Sequence, residues 1–75
     1  MNSMEALEEA QRIWGDHTVV WEEEIVSFFD TIEKTERRYF IGENFGEGKV
    51  VYGTGNTWIE AFHDAMFHIP IKGAL

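Results

Sequence analysis

The chain has 75 residues, 44% hydrophobic and 15% aromatic, with no cysteine and a net charge of −8. It is long enough for one small domain with a compact core, which excludes disorder from low hydrophobicity, and it has no thiol for a disulfide or a thiolate metal site. No apolar run approaches the ~18–20 residues of a membrane helix, and the start, MNSMEALEEAQ, lacks the basic and apolar regions of a signal peptide, so a cytoplasmic protein is expected.

The charge is one-sided. Residues 1–36 hold ten acids (Glu5, Glu8, Glu9, Asp16, Glu22, Glu23, Glu24, Asp30, Glu33, Glu36) against two bases, Arg12 and Lys34. Residues 37–75 hold four of each, so the whole net charge belongs to the first half. Such a surface repels nucleic acid and membrane phosphates and attracts basic protein surfaces. It also serves simple solubility.

Residues 3–14 read as a helix. Ala6, Leu7, Ala10, Ile13 and Trp14 recur at the spacing of one helical face, Asn2 or Ser3 can cap its start, and Gly15 sits where helices stop. Glu5, Glu8 and Glu9 fall on the outward side. In 18–32, Trp21, Ile25, Phe28, Phe29 and Ile32 also fit a helical face. The β-branched and aromatic richness of TVVW and IVSFF, and the strand-like RRYFIGENF and KVVYG that follow, favour an extended segment with a bend near Glu22, Glu23 and Glu24. EKTE (33–36) then reads as the first turn and GEG (46–48) as the second, giving a three-stranded antiparallel meander. In the second strand Tyr39, Ile41, Glu43 and Phe45 face one way and Phe40, Gly42 and Asn44 the other. The last element starts at Thr57, with Glu60 completing a capping box. Trp58, Ala61, Phe62, Ala65, Met66 and Ile69 form its core stripe, and Pro70 ends it. IKGAL is a short tail.

Little here points to chemistry. Asp64 and His68 share a helical face, as metal ligands on helices often do, but His63 lies on another azimuth and a stable site needs three or four ligands. GTGNT (53–57) leads from strand to helix, where backbone N–H groups can bind phosphate. It lacks the lysine of a P-loop, and a tight turn capped by Thr57 accounts for it. No serine or histidine stands in a nucleophile motif, so neither an enzyme nor a cofactor is expected. Arg37 and Arg38 beside Tyr39 and Phe40 are a thin basis for a nucleic-acid patch against the net charge. The simpler expectation is that they stem the edge of a strand or pair with Glu33 and Glu36 across a turn.

The stretch KVVYGTGNTWIEAFHDAM (49–66) is similar to the sheet-to-helix junction of HicB-like antitoxins, which have a partial double-stranded-RNA-binding-like fold. Gly53, Gly55, Thr57, Glu60, Ala61 and Ala65 carry the likeness, over under a quarter of the chain. They are capping and packing positions, so the likeness implies a fold more than a function. The N-terminal helix and the lack of a DNA-binding tail depart from that family. By type alone, a tiny, cysteine-free, strongly acidic domain also resembles phage anti-defence inhibitors, including anti-CRISPR proteins, several of which look like DNA to their targets.

The expected architecture is α+β: a helix, a three-stranded antiparallel sheet and a C-terminal helix packed on it (αβββα). The expected function is a stoichiometric inhibitor, in a host cytoplasm if phage encoded. Glu5, Glu8, Glu9, Glu22, Glu23 and Glu24 would meet a basic, nucleic-acid-binding surface on a protein or nucleoprotein target. The alternatives are an antitoxin-like module that binds a small toxin and a homodimeric structural protein. The eleven aromatic residues also predict self-association, because a three-stranded sheet with helices on one side can leave its other face apolar.

Overall fold

The computed structural model describes residues 1–68. Helix α1 (Ser3–Trp14) is followed by strands β1 (Thr18–Phe29), β2 (Ile32–Phe45) and β3 (Gly48–Gly55) and helix α2 (Trp58–His68). The strands form one antiparallel sheet in the order β1-β2-β3, so the αβββα architecture stands. Ile69, Pro70 and the tail lie outside the described residues.

Local chemistry sets the helix starts. Asn2 caps α1: its Oδ1 accepts from Glu5 N–H at 2.9 Å, and the Glu5 carboxylate accepts from Asn2 N–H at 3.2 Å. The two bonds satisfy donors that a helix start otherwise leaves open. At the other end Gly15 takes φ 113°, where a side chain would be strained, and its N–H donates to Gln11 O. For α2, Thr57 Oγ1 accepts from Glu60 N–H at 3.1 Å. The Glu60 carboxylate reaches back one residue further than a capping box requires, to Asn56 N–H at 2.8 Å.

Both helices pack on one face of the sheet. Ala6, Ala10, Ile13 and Trp14 of α1 meet Trp58, Ala61, Phe62 and Ala65 of α2 over Ile41, with Val20, Tyr39 and Tyr52 at the margin. Trp14 stacks on Phe62 at 6.0 Å between ring centroids and meets Tyr52 edge-on at 5.9 Å. Helix α2 approaches β3 so closely that a methyl group on Gly53 would collide with the backbone of Ala61 and Ala65. Among the described residues of the expected α2 stripe, Trp58, Ala61, Phe62 and Ala65 are buried and Met66 is 37% exposed.

The middle of the chain differs from expectation in two ways. The first turn is Asp30–Thr31, not residues 33–36, and β1 keeps an unbroken register with β2 through Glu22, Glu23 and Glu24, with no bulge there. Both turn residues have positive φ (50° and 70°), as a two-residue type I′ hairpin demands. EKTE is strand, since Glu33 to Glu36 lie opposite Phe28 to Ile25. The one register shift is in β2–β3, where Ile41 pairs Gly53 but Gly42 pairs Val51, leaving Tyr52 as an extra residue.

The sheet is uneven in width. Strand β3 accompanies β2 only from Tyr39 to Phe45, whereas β1 accompanies it from Ile32 to Glu43. Beyond Tyr39 the hairpin runs on as a two-stranded ribbon. The molecule is therefore long, 49 × 27 × 22 Å, with a radius of gyration of 13.8 Å, against roughly 11 Å for a compact chain of this length.

Candidate functional site

The ribbon is the outstanding surface feature. From Glu22 to Thr35 every residue is exposed. At its tip Phe28, Phe29 and Ile32 are 73%, 81% and 67% exposed, beside the partly exposed Ile25 and Val26. Large apolar side chains at the end of a projection contribute little to this chain's own core, and an exposed cluster of them is the common mark of a contact surface. Phe28 and Phe29 look like core residues in sequence because of their company. The turn position sets them at the end of the hairpin, and the sequence carries a signal for that position. Placing Glu23 and Glu24 opposite Arg38 and Arg37 fixes the hairpin closure at residues 30–31.

Strand alternation sorts the arm's charges. On the helix-side face Glu22 and Glu24 share the surface with Arg37, whose Nη1 lies 3.6 Å from the Glu22 carboxylate. On the open face Glu23 lies opposite Arg38, whose Nε donates to Thr54 Oγ1 at 3.3 Å. Arg37 therefore answers Glu22 of β1 and not, as expected, Glu33 or Glu36, whereas Arg38 lies opposite Glu23. Glu36 instead pairs with Lys34 at 2.9 Å, and that hydrogen bond holds its carboxyl below the usual carboxylate range, a lowering to which the charge of Arg38 also contributes.

The glutamates of α1 are differently employed. Glu5 is part of the cap. Glu9 binds Arg12, one turn away, through two hydrogen bonds that lower its pKa, and it borders a shallow hollow with Met1, Phe62 and His63. Glu8 is exposed. Glu9 thus turns toward α2, while Glu22, Glu23 and Glu24 line the root of the arm.

The open face of the sheet carries Val19, Trp21, Phe40 and Val51. Trp21 and Phe40 stack nearly parallel at 5.3 Å, and Lys49 Nζ sits 4.6 Å from the Trp21 ring. That stacking keeps both rings half-buried although no described element covers them.

Of the α2 histidines, His63 is exposed and His68 is tied to Asp64. Asp64 accepts from Thr54 N–H at 3.0 Å, tying α2 to β3, and lies 3.3 Å from His68 Nδ1. Among the described residues no three His, Asp or Glu side chains converge as metal ligands would, and no helix is long and apolar enough to cross a membrane. At the other end His17 Nε2 lies 2.6 Å from the Glu43 carboxylate and 3.4 Å from Tyr52 Oη. Burial, and then Glu43, push the Tyr52 phenol well above its ordinary pKa.

No known protein family, curated protein or solved structure matches the chain.

Proposed function

We propose that this chain is a protein-binding inhibitor of the small anti-defence type carried by phages and mobile elements, and that its arm occupies a basic, nucleic-acid-binding surface of its target. The observation that carries this reading is the placement of Glu22 at the root, and of Glu23 and Glu24 along the first residues, of an arm that runs on beyond β3 and the helices. Residues 22–38 hold six acids (Glu22, Glu23, Glu24, Asp30, Glu33, Glu36) against three bases (Lys34, Arg37, Arg38), a net −3. Exposed carboxylates there steer the arm toward lysines and arginines, and the apolar tip supplies the desolvated contact that charge alone does not. Arg37 and Arg38 make the arm a ladder of mixed charge, not a plain line of phosphate-like groups. The ladder favours a target surface with a matching pattern over any polycation.

The test is to change Glu22, Glu23 and Glu24 together to Gln. The variant should fold as the wild type does, capture less of its target from host cytoplasm, and lose the steep salt dependence of wild-type binding. Equal capture by both proteins would sink the acidic mechanism. Recovery of one small basic protein with no nucleic-acid-binding surface would move the reading to the antitoxin-like alternative that residues 49–66 suggest.

A further inference from the structure

We propose that the free edge of β2, residues 32–38, pairs with the same edge of a second copy of this chain, antiparallel, about a two-fold axis through Thr35. The proposal does not rest on the inhibitor reading, because it uses the other strand of the arm. It starts from where β3 stops. Tyr39 pairs with Gly55, the last residue of β3, and beyond it β2 has a partner only on its β1 side. In a two-residue hairpin the closing pair, here Phe29 and Ile32, is the hydrogen-bonded one. Alternation then turns the N–H and C=O groups of Glu33, Thr35 and Arg37 to the open side. A strand docked there would convert an isolated ribbon, marginal by itself, into a four-stranded sheet β1-β2-β2-β1.

The side chains say which strand fits. Reading outward from Thr35, Lys34 mirrors Glu36 and Glu33 mirrors Arg37. A two-fold axis at Thr35 sets Glu33 opposite the second copy's Arg37, and Lys34 opposite its Glu36, each pair occurring twice. Every direct charge pair is then opposite in sign, the favourable cross-strand arrangement. Other registers fail. With the axis at Lys34, two lysines face each other. With it at Glu36, two glutamates do, and Lys34 meets Arg38. The outer edge of β1 offers no such match in any register, because TVVWEEEIVSFF contains three acids and no base. Charges on an exposed edge ordinarily deter pairing with foreign strands. Here their order admits the same sequence reversed. Such isologous pairing is the commonest dimer geometry, and it leaves Glu22, Glu23 and Glu24 on the two outer strands.

Sedimentation of the full chain should show a monomer–dimer equilibrium that shifts to monomer with added salt. Glu33→Arg or Arg37→Glu alone should weaken dimerisation about tenfold or more. The two reversals together should restore it to within about threefold of wild type, since each then meets its complement. Thr35→Pro removes an N–H that faces outward, so circular dichroism should be unchanged while the dimer is lost. The chain has no cysteine, so Thr35→Cys gives a single thiol. Across a hydrogen-bonded antiparallel pair the Cα atoms lie about 5.5 Å apart, within disulfide reach, and mild oxidation should give a covalent dimer. Ile25→Cys, in the middle of β1, should not. The proposal is overturned by wild-type monomer at hundreds of micromolar and low salt. It is equally overturned by a dimer indifferent to Thr35→Pro, by failure of the double reversal to rescue, or by an Ile25→Cys variant that cross-links more readily than Thr35→Cys.

Discussion

The helical body and the β arm are continuous through β1 and β2, yet they are built on opposite rules. In the body, side chains of α1, α2 and the sheet close on one another, and Ala6, Ala10, Ile41, Ala61 and Ala65 are fully buried. In the arm the same two strands lose both helices and β3. There, residues as apolar as those of the core, Phe28, Phe29 and Ile32, face solvent. Hydrophobicity is therefore divided between the buried core of the body and the exposed tip of the arm, and each kind can be perturbed without the other.

The largest effect is expected in the body. Phe62→Ala removes a ring stacked on Trp14 and should cost about 3–5 kcal/mol, comparable to the ~3–5 kcal/mol available to a core this small. The variant should be largely unfolded by circular dichroism at room temperature. An unchanged melting curve would mean that the body does not close on this ring. Gly53→Ala should cost about 1–3 kcal/mol by forcing α2 off β3, read as a lower denaturation midpoint.

The arm should respond locally. Thr31 is β-branched and held at φ 70°, where glycine is at ease. Asp30→Asn with Thr31→Gly, the preferred type I′ pair, should strengthen the hairpin by about 1 kcal/mol. Amide exchange should slow in residues 25–36, while the global melting temperature hardly moves. Replacing Phe28 and Phe29 with Ser and Ile32 with Thr should shift global stability by no more than about 0.5 kcal/mol but reduce target capture. A melting temperature lowered by many degrees would erase the distinction between arm and body.

The smallest effect is a pH dependence confined to the body. Tyr52 is held above its ordinary pKa of 10.0 chiefly by burial. A raised folded-state pKa contributes stability that is complete below the unfolded value and declines as pH rises beyond it. Stability should therefore fall above about pH 10 more steeply in the wild type than in Tyr52→Phe, by parallel denaturant titrations. Matching curves would show that the phenol is solvated.

The body was the legible region. Asn2, Gly15 and Thr57 mark helix ends through bonds within a few residues, and the buried stripes of α1 and α2 follow the helical period. The arm was less so. Residues 33–36 resemble a turn because they are polar, and Asp30–Thr31 does not because it lacks glycine. Strand alternation still sends Glu22 and Glu24 to one face and Glu23 to the other. What no local pattern could show is that β3 ends where the arm begins, since that depends on the lengths of three paired strands. The exposed tip and the free β2 edge both follow from that mismatch.

The unbroken β1–β2 register also makes the arm a ruler. Removing two adjacent residues from β1 together with the two opposite them, for instance Ile25 and Val26 with Thr35 and Glu36, would draw the tip in by about 6–7 Å and keep every remaining side chain on its face. Removing one residue per strand would turn the tip over. Reach is thus adjustable in discrete steps without touching the body, so insertions and deletions here would be tolerated in matched, even-numbered sets.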